Sequence, residues 1–486
     1  MEVVMENMMQ EIFDYVDQHF GEMVEELGEL CSYRSAAGDE QGLSQTREWI
    51  LNKLGRLNIP HKCHPVEGGN AVISAGMAGT SRKIREIPQM GSSPEINTAE
   101  NHLPTLLFYN HYDVVQEGKK ELWSSSPFIP EIRDEVMYAR GVSDNKGPLL
   151  SRIQAIQAVL AVTGELPVNV KFFFEGDEET SSPSLGKFTA RHPELFKELT
   201  KADACLWENG RKDSKGRPWA RFGVRGSISF DLSVETSAKD VHARMGTVIP
   251  SASWRLVWAL ASLKNEDERI AIDGFYDDVL PVTGDDEKIL ESFPYDEEDL
   301  KNKMKLGSFL RDATGLQLKK QIYMEPSVSI CGLEAGEMYN GIRGIVPHKA
   351  SARVSFYLVA NQDPKKVERQ FREHLDRRGF SDIMISARGV NTPVRTPVDI
   401  PFKDQLIRAA AKVYREPMVI EPTQLGGGPA IYFHRAWPQM PIVGAGPGNT
   451  DGNHHAPDEN MRLLDYKESV KHMIALLYEM GGGVAR

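Results

Sequence analysis

Cysteine is scarce in this sequence, with four residues among 486. Cys31, Cys63, Cys205 and Cys331 stand singly and never in CxxC spacing, which argues against a disulfide framework and against a zinc site built from thiolates. Basic residues are outnumbered by acidic ones: the sequence has 57 Lys and Arg and 69 Asp and Glu, which gives a formal net charge of -12. A nucleic-acid partner is therefore not expected, because such binding depends on basic patches.

Long apolar runs are missing as well. No stretch approaches the roughly 20 apolar residues that a membrane helix requires, so no membrane partner is expected. The opening residues MEVVMENMMQ carry acids where a signal peptide needs a basic start. From these absences we expect a reduced, cytoplasmic enzyme or binding protein.

The length of the chain exceeds the roughly 250 to 300 residues at which a single core stops growing, so two domains are expected. Residues 1–222 alternate between helical periodicity and short apolar runs, which is typical of a mostly parallel sheet flanked by helices. Residues 223–395 repeat two strands and a helix, which indicates a smaller inserted α+β domain. The α/β pattern returns over residues 396–486. The polar stretch 77–103 fits neither domain, and a loop of that length is usually functional or disordered.

Candidate chemistry begins where the apolar run TLLFYN meets His111 and Asp113. These two residues are two apart and therefore share one face of an extended chain. A histidine that binds a metal needs its second ring nitrogen held, and an Asp two residues on is placed to hold it. Taken alone, the pattern also describes a histidine that is satisfied in the core or faces solvent.

Acidic residues follow two further segments. Asp144 lies among Gly and Asn ahead of a predicted helix, where it would otherwise be a capping residue. The apolar strand VKFFF is followed by a cluster of acidic residues: Glu175, Asp177, Glu178 and Glu179. The carboxylates of such a cluster repel one another unless they bind a cation or lie in an exposed loop, where solvent screens the repulsion.

Two more residues complete the set. Glu208 closes the apolar run ACLWE, and His455 lies in GNHHAPDEN before the last predicted helix. Ligands bind at the carboxyl ends of strands in open α/β sheets. Histidine, aspartate and glutamate gathered there are nitrogen and oxygen ligands that suit two zinc ions with positions left for water.

In this order the segments HYD, SDNKGP, EGDEE and HAPDEN resemble the co-catalytic zinc metallopeptidase family that contains carnosinase and other dipeptidases, glutamate carboxypeptidase, aminoacylase and acetylornithine deacetylase. The similarity extends from about residue 20 to the C-terminus. It implies a zinc-exopeptidase-like α/β fold whose smaller, inserted lid domain joins two chains into a homodimer. It also implies an enzyme that hydrolyses an amide bond in a small substrate.

The resemblance implies two zinc ions, with manganese or cobalt as alternatives, and the following ligands: His111, Asp144, Glu179, Glu208 and His455. Asp144 would bridge both ions. His111 and Glu208 would complete one site, and Glu179 and His455 would complete the other. Glu178 matches the general base of the family, and Asp113 matches the carboxylate that orients His111.

Further matches concern the substrate. His242 lies in a segment whose histidine reaches the active site of the partner subunit in that family, and without this match it would be an exposed loop histidine. Gly427 and Gly428 match a loop whose backbone N–H groups hold the terminal group of the substrate, although a flexible turn would have the same composition. Where the family commonly has an arginine this chain has Tyr357. Arg343 would replace that arginine unless it is an ordinary surface residue.

The longer-range match, which includes WSSSPF and IDGFYDDV, favours a dipeptidase or a short-peptide carboxypeptidase. An N-acyl amino acid amidohydrolase is the alternative, because the same site cleaves both kinds of amide. A non-catalytic binding protein on the same fold is the third reading, but such a protein is free to lose ligands and here every expected position is filled.

Overall fold

The computed structural model describes residues 2–80, 103–336 and 344–482. Arg343 and most of the polar stretch 77–103 lie outside these ranges, so the hypotheses about them stay untested. Two compact units make up the chain. The first comprises Met1–Phe222, Thr396–Glu421 and Tyr432–Arg486, and the second comprises Gly223–Arg395 and Pro422–Ile431. Across the described ranges, none of the helices has the length and apolar composition needed to cross a bilayer.

The helices of the described residues are bounded as follows: α1 Glu2–Gln18, α2 Phe20–Ser32, α3 Glu40–Arg56, α4 Lys146–Thr163, α5 Pro183–Arg191, α6 Pro193–Thr200, α7 Ala252–Ala261, α8 Gly284–Ser292, α9 Glu297–Met304, α10 Gly315–Met324, α11 Pro364–Arg377, α12 Pro401–Ala411, α13 Ala430–Ala436 and α14 Leu463–Gly482.

The strands are bounded as follows: β1 His61–His64, β2 Val72–Met77, β3 Thr105–His111, β4 Glu131–Arg133, β5 Val136–Tyr138, β6 Asn169–Glu175, β7 Ala204–Trp207, β8 Arg211–Lys212, β9 Pro218–Arg221, β10 Gly223–Val224, β11 Gly226–Glu235, β12 Val241–His242, β13 Ser327–Ala335, β14 Ile345–Val346, β15 Lys349–Leu358, β16 Met384–Asn391, β17 Val394–Arg395, β18 Val419–Glu421, β19 Ile442–Gly444 and β20 Asn460–Arg462.

The first unit is built on a mixed nine-stranded sheet in the order β1-β2-β6-β3-β7-β19-β9-β18, with β8 beside β9. Its central strands β6, β3, β7 and β19 run parallel. Every residue of β3 is buried, which explains why TLLFYN reads as a continuous apolar run rather than an alternating one. The predicted α/β class with helices flanking the sheet is confirmed.

The register of these strands decides where the site can form. His111 at the end of β3 pairs with Glu175 at the end of β6, and β7 ends at Trp207, directly before Glu208. Because parallel strands finish at the same edge, the residues that follow them are brought together there. The helix α4 begins at Lys146, immediately after Asp144 and Asn145.

The second unit contains an antiparallel sheet in the order β13-β15-β11-β16. The strand β11 alternates between buried and half-buried residues along its length, as expected where one face packs and the other does not. Its buried face contributes Phe230, whose ring lies 4.9 Å from that of Phe371 on α11 and 5.9 Å from that of Phe356 on β15. Aromatic pairs at these separations hold the helix against the sheet.

Candidate metal centre

A cluster of histidine and carboxylate side chains forms at the carboxyl edge of the central sheet. Its members are the predicted ligands, each from a separate segment of the first unit: His111, Asp144, Glu179, Glu208 and His455. All except His455 are at least half buried, and His455 is exposed over 56% of its side chain. One face of the cluster is therefore open to solvent.

Asp144 lies between the two histidines. Its Oδ1 is 3.2 Å from Nε2 of His111, and its Oδ2 is 3.3 Å from Nε2 of His455. Each oxygen of one carboxylate thus faces a different imidazole. A carboxylate in this position can bind two cations, one through each oxygen.

A second carboxylate joins each histidine. Oε2 of Glu208 is 3.8 Å from Nε2 of His111, and Oε2 of Glu179 is 3.1 Å from Nε2 of His455. The cluster therefore divides into two sets of nitrogen and oxygen atoms that share Asp144. One ligand atom from each of His111, Asp144 and Glu179 lies within 4.8 Å of the others.

The donor chemistry of the cluster fits divalent cations. Oε1 of Glu179 and Oε2 of Glu208 are buried and accept no hydrogen bond from the residues that the structure describes. Burial raises the pKa of Glu208 to about 7 and also raises the pKa of Glu179. Carboxylates held so close together without compensation are costly, and a cation would offset both their desolvation and their mutual repulsion.

The histidines respond to the same carboxylates in the opposite direction. Hydrogen bonds with Asp144 and Glu179 raise the pKa of His455 to about 10. Burial lowers the pKa of His111, but its contacts with Asp113 and Asp144 outweigh burial and leave that pKa well above the ordinary value. A cation must displace protons from these nitrogen atoms, so metal binding at this cluster would release protons.

Asp113 contacts both His111 and the turn that contains Glu178 and Glu179. Its Oδ1 lies 3.3 Å from Nδ1 of His111 and accepts a hydrogen bond from the backbone N–H of Glu178 at 3.2 Å. Its Oδ2 accepts from the backbone N–H of Glu179 at 3.0 Å. One buried carboxylate therefore orients a histidine of β3 and the turn after β6 at the same time.

Glu459 orients the loop that carries Asp144. This residue was not identified from the sequence. Its Oε1 accepts from the backbone N–H groups of Ser143 and Asp144, both at 2.9 Å. Its Oε2 accepts from Gly141 N at 2.9 Å and Arg140 Nη1 at 2.8 Å. Glu459 is fully buried and follows His455 by four residues, so it ties the segment of one predicted ligand to the loop of another. Only its place in HAPDEN pointed toward it.

The remaining predicted site residues belong to the second unit. His242 ends β12 and is exposed, and its Nδ1 accepts from the backbone N–H of Arg244 at 3.2 Å. Gly427 is exposed and Gly428 is buried within Pro422–Ile431. That segment is anchored by the backbone N–H of Arg225, which donates to Gly426 O at 3.0 Å.

This chain is similar to known proteins in both sequence and fold. Residues 107–479, more than half of the chain, match the sequence model of peptidase family M20/M25/M40. The Beta-Ala-His dipeptidase of Mus musculus is 26% identical and covers 97% of this chain and 96% of that protein. The Cys-Gly metallodipeptidase of Candida albicans is 24% identical and covers 97% of both chains. Among solved structures, a metallo-carboxypeptidase of the M20 family from Sulfolobus solfataricus is 30% identical with a TM-score of 0.80, and covers 95% of this chain and 99% of its own.

Proposed function

Because this chain belongs to peptidase family M20/M25/M40 and is a metallopeptidase, we propose that it is a two-metal dipeptidase that cleaves the amide bond of a dipeptide or short peptide. The family and the enzyme class predicted from the sequence are confirmed. The observation that carries the proposal is the position of Asp144, whose two oxygens face the ring nitrogens of two different histidines.

The proposed ligands follow from the two sets of atoms that share Asp144. His111 and Glu208 would hold one cation with Oδ1 of Asp144. His455 and Glu179 would hold the other with Oδ2. Zinc is the proposed metal, with manganese or cobalt as alternatives, because imidazole and carboxylate ligands accept all three.

Two cations in these positions would supply Lewis acidity, which polarises the carbonyl group of a substrate and lowers the pKa of water. Glu178 is the proposed general base, which takes a proton from the attacking water and passes it to the departing amine. Burial, and after it the neighbouring Glu208, raise the pKa of Glu178 well above its ordinary value. A raised pKa makes this carboxylate a stronger proton acceptor, and general acid–base catalysis is typically worth about 10² to 10⁴ in rate.

We also propose that the second unit joins two chains into a homodimer. Trp254 and Trp258 on α7 are exposed over 61% and 56% of their surface, and their rings stack at 5.7 Å. Ile330 and Leu333 on the neighbouring strand β13 are also more than half exposed. Among the described strands, β13 pairs only with β15, so its free edge can pair with the same edge of a second copy.

Such a dimer gives His242 a function. Within the described residues, its exposed ring accepts one local hydrogen bond, from the backbone N–H of Arg244, so its other ring nitrogen is available to another molecule. We propose that the partner subunit's His242 donates to the oxyanion that develops on the substrate carbonyl. Loss of one such donor commonly costs on the order of 10² to 10³ in rate.

A mixing experiment tests this shared site. His242→Ala and Glu178→Ala chains should each be inactive, and activity should reappear when the two are mixed, because some mixed dimers then contain one intact site. Trp254→Glu should shift the protein toward monomer in sedimentation velocity. Absence of recovery after subunit exchange has been verified would contradict the proposal.

The remaining proposed contacts bind the ends of the substrate. Arg343 would pair with a substrate carboxylate, and the backbone N–H groups of Gly427 and Gly428 would hold the terminal group. Glycine suits this because it lets a backbone approach a ligand closely. A Cβ added at the exposed Gly427 would meet the side chain of Asn391 at 3.1 Å. Gly427→Val should therefore raise KM more than it lowers kcat.

The substrate class is favoured by the names of the similar proteins, two of which are dipeptidases. An N-acyl amino acid remains the alternative because Tyr357 occupies the position where an arginine was expected. A panel of dipeptides, acetylated amino acids and long-chain acyl amino acids, assayed with zinc, manganese or cobalt, separates the two. The proposal predicts hydrolysis of dipeptides and its loss in Glu178→Ala. Preferential turnover of acylated amino acids would overturn the dipeptide assignment.

A cytoplasmic location is part of the proposal. All four cysteines are free of disulfide bonds, and Cys31 and Cys205 are buried. Burial raises the pKa of both thiols to about 12, which makes them unreactive. A protein without disulfides is typical of a reducing compartment. Fractionation of the source cells with detection of the protein in the soluble, reducing fraction tests this assignment.

A further inference from the structure

Arg152 is a fully buried arginine on α4, and no carboxylate among the described residues forms an ion pair with it. Burial lowers its pKa to about 9, so it remains charged at neutral pH. Its donors reach acceptors at the ends of three neighbouring strands: the carbonyl oxygens of Tyr109 (2.6 Å), Leu206 (3.2 Å), Trp207, Glu208 (2.9 Å) and Ala445 (3.3 Å), and Oδ1 of Asn110 (2.6 Å).

The contact with Asn110 begins a chain of three side-chain amides. Asn110 Nδ2 donates to Asn145 Oδ1 at 2.5 Å, and Asn145 Nδ2 donates to Asn209 Oδ1 at 2.5 Å. Asn209 Nδ2 then donates to Oδ1 of Asp144 at 3.0 Å. A buried cation is thus connected to the carboxylate that lies between His111 and His455.

The two ends of this chain fix the direction of every amide in it. A guanidinium group only donates hydrogen bonds and an ionised carboxylate only accepts them. Each amide between Arg152 and Asp144 must therefore turn its oxygen toward the arginine and its nitrogen toward the aspartate. Hydrogen bonds that point the same way in a buried chain polarise one another and strengthen the last contact.

We propose that Arg152 is a positioning residue of the metal centre, which sets the rotation of the Asp144 carboxylate through Asn110, Asn145 and Asn209. With the N–H of Asn209 directed at Oδ1, the two oxygens keep facing His111 and His455 separately. This inference rests on the proposed role of Asp144 as a shared ligand. Contacts that orient a metal ligand typically contribute about 10 to 100-fold in metal affinity or activity.

If Arg152 only stabilised the fold, its hydrogen bonds to backbone carbonyl groups would be sufficient for that role. The variant that distinguishes the two roles therefore keeps those hydrogen bonds and changes only the chain of amides. Asn110→Asp keeps an acceptor for Arg152 but cannot donate to Asn145. We expect the amides of Asn145 and Asn209 then to reverse, which gives up the hydrogen bond from the backbone N–H of His111 to Asn145 Oδ1 at 3.4 Å and turns an amide oxygen toward Oδ1 of Asp144. The added negative charge would by itself favour a cation, so weaker metal binding in this variant cannot come from the charge.

A matched control changes an amide to a carboxylate at the opposite end of the same sheet. Asn169 begins β6, where its Nδ2 donates to Leu103 O at 2.9 Å and to Thr105 Oγ1 at 3.3 Å. Asn169→Asp breaks a comparable number of hydrogen bonds without touching the chain to Asp144. Both variants are compared with wild type by melting temperature, so that a general loss of stability is recognised.

The test measures metal binding itself. Metal-stripped protein is titrated with zinc against a competing chelator, and the visible absorption spectrum of the cobalt-substituted protein is recorded. Asn110→Asp should bind zinc about 10 to 100-fold more weakly and show an altered cobalt spectrum, while Asn169→Asp should match wild type in both. Arg152→Met should resemble Asn110→Asp, and Arg152→Lys, which still donates, should recover part of the affinity.

The outcomes separate this inference from the proposed function. Wild-type affinity and spectrum in Asn110→Asp would overturn the inference even if Arg152→Met fails to fold. If wild-type protein binds two cations and Asn110→Asp binds them with the same affinity, the two-metal proposal stands and the positioning role falls. If wild-type protein binds no cation, both fall together.

Discussion

Replacing Asp113 with asparagine should weaken the whole metal centre, because one carboxylate serves three groups there. Its Oδ1 faces His111 Nδ1 and the N–H of Glu178, and its Oδ2 faces the N–H of Glu179. An asparagine of the same shape has only one oxygen. Whichever way its amide turns, its NH₂ group meets at least one N–H that previously donated to a carboxylate.

The magnitude follows from that mismatch. The less costly orientation keeps the oxygen toward His111 and Glu178 and sets the NH₂ group against the N–H of Glu179. One hydrogen bond to a charged acceptor is then lost, and a buried donor is left unsatisfied, at a cost of about 1 to 3 kcal/mol. Because 1.36 kcal/mol is a factor of ten, we expect metal affinity or kcat/KM to fall by about 10 to 100-fold.

The assay compares zinc affinity, kcat and KM of Asp113→Asn with wild type. Asp213→Asn is a suitable control, since Asp213 is also a buried carboxylate in the first unit and accepts from the backbone N–H groups of Lys215 and Arg217 at 2.9 and 3.1 Å. The control should lose stability and keep wild-type metal affinity. Full activity and affinity in Asp113→Asn would refute the orienting role.

Three further perturbations test the general base, the contacts of Glu459 and a buried histidine. Glu178→Ala should retain two cations per chain by metal analysis and lose about 10² to 10⁴ in kcat; loss of metal instead would show that base and ligand have been exchanged. Glu459→Gln should weaken zinc binding by about 10 to 100-fold in chelator competition, because an amide cannot accept all four N–H groups; unchanged affinity would make Glu459 purely structural. Burial lowers the pKa of His472 to about 4, below the 6.5 of an unfolded chain. The unfolded chain therefore binds a proton between pH 6.5 and 4 that the folded chain does not, and the free energy of unfolding should fall as pH drops through that window, by at most about 3 kcal/mol. Urea denaturation at several pH values should show a smaller fall for His472→Gln, and an equal fall would refute this assignment.

The sequence was informative about three members of the cluster because each lies at or next to the end of a strand or just before a helix. His111 ends β3, Glu208 follows β7, and Asp144 stands two residues before α4. Strand ends of a parallel sheet converge whatever the intervening sequence, so the convergence could be predicted from pattern alone. The spacing of His111 and Asp113 likewise predicted that they share a face.

The contacts that orient these residues could not be predicted in this way. Arg152 occurs in an ordinary helical pattern, where an arginine is normally exposed. Its burial depends on carbonyl groups of β3, of β7 and of Ala445, which directly follows β19. The turn after β6 brings the N–H groups of Glu178 and Glu179 onto Asp113, a pairing more than 60 residues apart in sequence. Such contacts depend on backbone geometry that no local pattern specifies.

In the proposed mechanism, two cations share Asp144 and both are required for amide hydrolysis. This requirement is tested by titrating metal-stripped protein with zinc and recording dipeptide hydrolysis at each addition. We expect no hydrolysis without metal and a rate that reaches its plateau at two cations per chain. Hydrolysis by metal-free protein, or a plateau at one cation per chain, would contradict it.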